Sequence, residues 1–171
     1  MDAITARFYI QHLQLQPHPE GGYYKETYRA SENIPATCLP PRFKAEERKF
    51  STAIYYLLER GSFLTFHRIK SDKCWHFYAG GTLLIHVLEA DTNYYCVKLG
   101  AHLDKGDLFQ FVVPAGAWFA AEPAPDTEFV LVGCTVAPGF DFIDFEKANK
   151  QVLLKQFPEQ ANIIARLCLQ N

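Results

Sequence analysis

The chain has 171 residues, 49% of them hydrophobic and 21% charged, so it is long enough to bury a core and too apolar to be a disordered segment. A formal net charge of -2 leaves no basic field that would favour nucleic acid or an anionic membrane surface. The five cysteines are scattered and form no C-x-x-C pair, which favours reduced, mostly buried thiols over disulfides or a zinc cluster. We therefore expect one cytoplasmic domain over residues 1–171, without a signal peptide or a membrane span.

The N-terminal residues 2–15 predict a short amphipathic helix. Asp2 is the expected N-cap, and Ile4, Phe8 and His12 recur at the spacing of one helix face. Residues 17–22, with two prolines and a glycine pair, predict a stiff loop with a hinge at its end.

Residues 23–29 predict a strand that follows this loop. Alternation places Tyr24, Glu26 and Tyr28 on one face of the strand. A carboxylate between two tyrosines fits either an exposed stripe or the wall of a polar pocket, and the spacing alone favours the exposed stripe. Residues 30–49 predict a polar surface loop that ends in a solvated charge run at 44–49.

Short segments rich in aromatic and branched residues dominate the rest of the chain, separated by Gly, Pro, Asp or Asn. They predict strands at 50–58, 63–69, 74–78, 82–89, 94–99, 108–113, 118–121, 128–136 and 140–145. Many short strands at this spacing indicate a sandwich or a barrel. From residue 146 the period becomes helical, which predicts two short helices over an open end or an outer face of the barrel.

The stretch from Gly61 to Gly80 carries the most chemistry, and it predicts two strands joined by a polar corner. Strict alternation places Phe63, Thr65, His67 and Ile69 on one face of the first strand and Leu64, Phe66 and Arg68 on the other. The second strand contains Trp75, His76 and Phe77. We expect His67 and His76 to lie on adjacent strands.

Two motifs in the chain resemble those of the cupins. The positions of G-x5-H-x-H-x3-E-x6-G are taken without a gap by Gly61, His67, Ile69, Lys73 and Gly80, and those of P-x-G-x2-H by Pro114, Gly116 and Phe119. Segments 17–24, 26–29, 51–55, 75–77, 113–116 and 132–140 are similar to the fifth cupin-like family, whose members are largely of unknown function.

The resemblance implies a mainly β fold, a double-stranded β-helix (jelly-roll) barrel with its ligand pocket inside. The barrel core would span about 50–145, preceded by the N-terminal helix and strand at 2–29 and followed by helices at 146–169. The family resemblance also implies a homodimer. Many chemistries share this fold, so the fold alone gives no reaction.

The metal positions of the motif carry side chains that do not suit a metal. A metallocupin uses two histidines and a glutamate from the first motif and a histidine from the second, but here only His67 remains, beside Ile69, Lys73 and Phe119. One imidazole is too few ligands for a tight transition-metal site. We expect no metal and no other cofactor, with His76 or Glu26 left open as replacement ligands.

The candidate catalytic residues are therefore His76, His67, Tyr24 and Arg68, and the candidate binding residues are Glu26, Tyr28, Phe77, Trp118 and Lys73. An imidazole that titrates near neutral pH suits proton transfer, and this applies most directly to His76. The alternative for His76 is a structural histidine bonded to a backbone carbonyl, and the two interpretations have equal weight.

The superfamily offers one metal-free precedent, the nucleotide-sugar 3,5-epimerase, in which a histidine removes a proton beside a ketone. By this analogy His76 or His67 would be the base, Arg68 or Lys73 the enolate stabiliser, and Tyr24 or Tyr28 the acid. The expected partner is a small molecule, a sugar or nucleotide sugar. The alternatives are a non-catalytic ligand-binding or sensing cupin, and a metal-dependent enzyme with rearranged ligands.

Overall fold

Antiparallel strands are the main regular structure of the computed structural model, which describes residues 5–43, 46–90 and 93–169. The strands are β1 (Gln16–Pro17), β2 (Tyr23–Arg29), β3 (Asn33–Ile34), β4 (Arg48–Lys49), β5 (Thr52–Glu59), β6 (Leu64–Arg68), β7 (Asp72–Gly80), β8 (Leu83–Leu88), β9 (Tyr94–Leu99), β10 (Gln110–Val113), β11 (Trp118–Pro123), β12 (Phe129–Ala137) and β13 (Glu146–Lys147). The helices are α1 (Ala6–His12), α2 (Lys150–Gln156) and α3 (Ala161–Leu167), with short 3-10 turns at Ala36–Cys38, Pro41–Phe43, Leu103–Lys105, Phe142–Asp144 and Pro158–Gln160.

Two large sheets face each other across the core. One sheet has the order β1-β2-β5-β12-β7-β10, the other β13-β6-β11-β8-β9, and β3 pairs with β4 separately. Inward side chains of both sheets form the main core cluster, with Trp75 and Val132 from the first sheet packed with Ile85 and Phe119 from the second. This confirms the predicted mainly β, jelly-roll class, in which the two sheets remain separate rather than closing into one continuous barrel.

The terminal helices cover the outer faces of the two sheets. Leu153 of α2 and Ile164 of α3 pack against Phe66 and Leu88 of the five-stranded sheet, as the helical period after residue 146 predicts. At the other end of the chain, α1 packs beside Leu57 and Leu131 of the six-stranded sheet. Since both outer faces are partly shielded by helices, the space that remains for a ligand lies between the sheets.

The N-terminal helix buries a different face from the predicted one. Its N-cap is Thr5, while Asp2 and Ile4 lie outside the described residues. Phe8 is 41% exposed and stacks on His12, whereas Ala6, Tyr9 and Ile10 contact the core. The residue spacing correctly predicted a helix. However, Phe8 and His12 of the predicted face stack on each other at the surface instead of packing into the core.

The segment predicted as a strand at 140–145 is not one. It contains the 3-10 turn Phe142–Asp144, and the chain then forms β13, where helix was predicted to begin. Within the charge run at 44–49, Arg48 is buried and forms a bidentate ion pair with Asp144, both N–O distances being 2.7 Å. The partner is 96 residues away, so local composition could not reveal that this charge is internal.

All five cysteines are free, but only Cys134 and Cys168 are buried, whereas Cys38 and Cys96 are exposed. The prediction of mostly buried thiols is therefore wrong for these two. Among the helices of the described ranges, none combines the length and the apolar character needed to cross a membrane.

Candidate functional site

A cavity of about 400 Å³ lies between the sheets, at the low end of the usual range for ligand pockets. Its wall is mainly apolar and contains a few convergent polar groups. The lining residues are His18, Pro19, Glu20, Tyr24, Glu26, Arg29, Thr52, Ile54, Tyr56, Leu64, His67, Ile69, Lys73, Cys134, Val136, Phe140, Phe142 and Phe145.

The loop between β1 and β2 brings His18 and Glu20 to the cavity. Gly21 and Gly22 have positive φ angles of 106° and 73°, and a side chain at either would overlap backbone carbonyls of neighbouring segments. The Tyr56 hydroxyl donates to the Gly21 carbonyl at 2.7 Å, which fixes the loop to β5. The glycine pair therefore permits close packing and is not the free hinge that the sequence predicted.

His18 is held in one orientation by this loop. Its Nδ1 accepts a hydrogen bond from the Glu20 backbone N–H at 3.0 Å, so the proton of the neutral ring resides on Nε2. Burial, with a smaller contribution from the charge of Lys73, lowers the pKa of His18 to about 4. The Glu20 Oε2 atom is shielded from solvent and has no hydrogen-bond partner among the described residues; Lys147 Nζ lies 3.9 Å from it.

A register shift in β2 changes which residues of that strand face the cavity. The shift lies between Glu26 and Tyr28 in the pairing with β5. Tyr24 and Glu26 face inward before it, and Arg29 faces inward after it and holds Glu26 in a bidentate ion pair at 3.0 and 2.6 Å. Tyr28 is 55% exposed and does not line the cavity, because the bulge reverses the alternation on which the predicted stripe depends.

A second shift, between β6 and β11, places His67 inside. Leu64 and His67 both face the cavity, while Thr65 bonds outward to α3 and Phe66 packs under the C-terminal helices. The prediction that Thr65 and His67 face the same side of the strand is therefore wrong. The inward direction of the His67 side chain agrees with the cupin register. The bulge is again the cause.

His67 is fixed as a neutral imidazole with one nitrogen available. Its Nδ1–H donates to the Thr65 carbonyl at 2.8 Å, so Nε2 carries a lone pair and makes no hydrogen bond within the described part of the chain. Its ring lies between Phe119 and Phe145, at centroid distances of 4.1 and 5.0 Å. Burial, and secondarily the charge of Lys73, lowers the pKa of His67 to about 3.

Lys73, the second residue of β7, projects its amine into the same cavity. Nζ lies 4.5 Å from the Trp75 ring centroid and 5.2 Å from that of Phe119. Among the described residues it has no hydrogen bond and no carboxylate within 4.0 Å, although Glu20 lines the same cavity. Burial lowers the pKa of Lys73, although the cation–π contacts moderate this effect by favouring the charged form.

The deep part of the cavity is thus basic and poor in compensating charge. The charge of Lys73 lowers the pKa values of His18 and His67, and Cys134 offers no counter-charge because burial raises its pKa to about 11. A ligand oxygen that carries or develops negative charge would be stabilised in this position.

Several predicted site residues lie elsewhere. His76 is on the outer face of the six-stranded sheet, where Gln110 donates to its Nδ1 at 3.0 Å and its Nε2–H donates to Thr135 at 3.1 Å. Since His67 is in the other sheet, the expectation that these histidines lie on adjacent strands is wrong. Of the nine predicted residues, Tyr24, Glu26, His67 and Lys73 line the cavity.

Arg68, Trp118 and Phe77 also lie away from the cavity. Arg68 pairs with Glu146 at 2.8 and 2.9 Å on the outer face, with its guanidinium carbon 4.3 Å from the centroid of the Trp118 ring. Trp118 belongs to the cluster beneath the C-terminal helices, and Phe77 packs against the main core.

The donor set at the cupin metal positions does not fit a metal ion. His67, Ile69, Lys73 and Phe119 converge, but only His67 offers a ligand atom that needs no deprotonation. The replacement ligands left open do not supply the rest, because His76 is on the outer face and Glu26 is paired with Arg29. Within 5–43, 46–90 and 93–169, no group of three or more His, Cys, Asp or Glu residues is arranged to hold an ion.

Sequence reasoning missed His18, Glu20, Arg29 and Cys134 as lining residues. His18 and Glu20 could have been recognised from the segment 17–22, because a histidine and a glutamate there lie among two prolines and a glycine pair. Arg29 could not be found by alternation, because the bulge in β2 turns it inward.

The sequence matches the model of the Cupin_5 family, described as cupin superfamily (DUF985), over residues 7–148. The uncharacterized protein YML079W of Saccharomyces cerevisiae is 32% identical over 168 residues, covering 92% of this chain and 83% of that protein. A hypothetical protein from Leishmania major is 34% identical with a TM-score of 0.89 and covers 98% of this chain and 100% of that one.

Two further solved structures extend this comparison. Protein SO0799 from Shewanella oneidensis is 33% identical with a TM-score of 0.85, covering 99% of this chain and 100% of that one. Oxalate decarboxylase from Bacillus subtilis is 13% identical with a TM-score of 0.54 and covers 88% of this chain and 36% of that one, so it shares the fold alone.

Proposed function

The chain belongs to the Cupin_5 family of the cupin superfamily (DUF985), and we propose that it is a metal-independent isomerase or epimerase acting on a small hydroxylated carbonyl compound. One observation carries the proposal. The cavity holds the imidazole of His67 beside Lys73, at the positions where related folds hold a metal, and within the described residues neither His67 Nε2 nor Lys73 Nζ has a hydrogen-bond or ion-pair partner. Such a pair suits removal of a proton from the carbon next to a carbonyl group.

His67 is the proposed base. Its Nδ1–H bond to Thr65 leaves the lone pair of Nε2 as the acceptor, and burial keeps the ring neutral at pH 7. An imidazole of low pKa is a weak base when no ligand charge lies beside it. As negative charge develops on the ligand oxygen, that charge raises the proton affinity of His67 and offsets the burial that lowered it.

Lys73 is the proposed activator of the carbonyl group. Its Nζ lies in the same basic region as His67, with no protein anion within 4.0 Å to compete for it among the described residues. Tyr24 lines the cavity as a candidate proton donor, in place of Tyr28, which is exposed. The Oε2 atom of Glu20, which has no hydrogen bond in the described part of the chain, would accept one from a ligand hydroxyl, and this favours a sugar-like compound.

The cavity volume narrows the substrate class. At about 400 Å³ it encloses a monosaccharide-sized molecule more fully than a nucleotide sugar, whose nucleotide would extend past the mouth near Glu26 and Arg29. A single sugar or sugar acid is therefore the better match of the two substrate types considered.

The low pKa of His67 favours a second candidate, a non-catalytic ligand-binding or sensing protein. A base with a pKa of about 3 is far below the operating pH at which general bases are most effective. The same cavity would then bind an anionic or hydroxylated ligand through Lys73 and Glu20 without changing it.

The test is solvent exchange by chelator-treated protein. Keto-sugars, sugar acids and nucleotide sugars are incubated in D₂O, and deuterium uptake at the carbon next to the carbonyl is followed by NMR. We expect uptake for at least one monosaccharide-sized compound. A compound that binds by calorimetry and is recovered without deuterium supports the binding protein instead. No uptake across the panel contradicts the isomerase.

A further inference from the structure

Lys73 differs chemically from the exposed lysines of the chain. Exposed lysines such as Lys98 and Lys155 are surrounded by water, which stabilises their ammonium form. Lys73 instead projects between Trp75 and Phe119 into the cavity between the sheets, and within the described residues its Nζ has neither a hydrogen bond nor an ion pair. An amine in this environment retains its proton less firmly than one in water.

Three uncharged side chains share the cavity with Lys73. The imidazoles of His18 and His67 are neutral at pH 7, and burial keeps the Cys134 thiol neutral. Burial lowers the pKa of Lys73 itself. Desolvation is one of the ways in which proteins make a lysine nucleophilic.

We propose that Lys73 is a covalent site, whose Nζ forms an imine with an aldehyde or ketone ligand bound between the two sheets. The inference rests on the proposed carbonyl substrate and specifies how Lys73 activates it. An imine, once protonated, draws electrons from the neighbouring carbon more strongly than the carbonyl does, so it would make the proton removed by His67 more acidic.

The step balances without a co-reactant. The neutral Nζ attacks the carbonyl carbon, a C–N bond forms, and the C=O π bond breaks to give a carbinolamine. The oxygen then leaves as water with the two protons that Nζ carried, and the C=N bond forms. Nε2 of His67 is the neutral acceptor in the cavity that would relay one of these protons.

The position of Lys73 favours a single productive geometry. The residue is the second of β7 and lies opposite Val113 of β10 and Val136 of β12, so its backbone is held from both sides. Its amine therefore approaches the ligand from a rigid wall. A site on a strand is held more firmly than one on a loop.

The experiment traps the imine chemically. The full chain is incubated with glycolaldehyde, a small hydroxylated aldehyde, and sodium cyanoborohydride at pH 6.5, and each lysine's alkylation rate is measured by peptide mass spectrometry. A lysine with an ordinary pKa of about 10.4 is neutral in about one molecule in 10⁴ at this pH. We expect Lys73 to react at least about tenfold faster than Lys98 and Lys155 in the same molecule.

The comparison within one chain needs no variant, so it stays decisive if substitutions at Lys73 impair folding. If K73R folds, it keeps a positive charge at this position but is expected to lose the fast-labelled site. The control variant K98R is expected to keep fast labelling at Lys73. Labelling of Lys73 no faster than that of Lys98, or no labelling at all, overturns the proposal.

This outcome is separable from that of the proposed function. Fast trapping without deuterium exchange supports the covalent site and contradicts the isomerase. Deuterium exchange without fast trapping of Lys73 supports the isomerase and overturns the proposed imine.

Discussion

Acidification should destabilise the protein through His67, because its imidazole is buried in the neutral form. The pKa of this group is about 3 in the folded state, against about 6.5 when unfolded. Between these two values the unfolded chain binds a proton that the folded chain does not, so the free energy of unfolding falls as the pH falls. The stabilisation is complete above pH 6.5 and is lost progressively below it.

The size of this loss of stability is set by the pKa of a histidine in the unfolded state. Between pH 7 and pH 5 the protonation of an ordinary histidine in the unfolded state amounts to about 2 kcal/mol. Any folded-state pKa of His67 well below 5 gives nearly the same free-energy loss, so the predicted loss of about 2 kcal/mol does not require the pKa to be about 3. His18 and His86, whose pKa values are also lowered by burial, add losses in the same direction.

The assay isolates His67 by substitution. Urea unfolding of wild type and H67Q is measured at pH 7, 6 and 5 at constant ionic strength, with circular dichroism to confirm that the variant is folded. The wild type should lose about 2 kcal/mol more than H67Q over this range, because the other histidines are common to both proteins. Parallel losses in the two proteins would refute the assignment of a buried, neutral His67.

Three further predictions concern packing and the metal positions. D144N should lower the free energy of unfolding by about 3–5 kcal/mol in denaturant melts, because it removes the bidentate carboxylate from the buried Arg48 guanidinium and leaves only the exposed Glu46 at 3.6 Å; a loss under about 1 kcal/mol would contradict this. F66A should cost about 3–5 kcal/mol by removing the ring on which the C-terminal helices pack, whereas a cost within about 0.5 kcal/mol would mean that the helices are not docked there. The triple variant I69H/K73E/F119H should bind one divalent metal ion per chain by elemental analysis while the wild type carries none, because His67 already has the Nδ1–H bond that orients metal ligands; equal metal content in both proteins would contradict it.

The sequence predicted the fold class through strand periodicity and through the two cupin motifs. The motif spacing located His67 and Lys73, and both line the cavity. The ranking of His76 above His67 had no such geometric basis. A Trp-His-Phe segment alternates, and with Trp75 facing the core His76 must face outward.

Alternation failed where the strands contain bulges. In β2 the bulge turns Tyr28 outward and Arg29 inward, and in β6 it separates Thr65 from His67. A bulge inserts one residue on one strand, so every later side chain changes face, and neither bulge is marked by a glycine or a proline in these segments. Long-range pairing is the other source of error, since Arg48 appears solvated until Asp144 is brought to it by the fold.

Deuterium exchange by metal-stripped wild type, H67Q and H76Q, assayed in parallel on a substrate found in the panel, distinguishes the cavity histidine from the outer-face histidine. The two variants remove the interior and the outer-face histidine by the same substitution. The proposed site predicts that H67Q loses exchange and that H76Q retains the wild-type rate. Exchange that persists in H67Q and disappears in H76Q would contradict the assignment of the site to the cavity between the sheets.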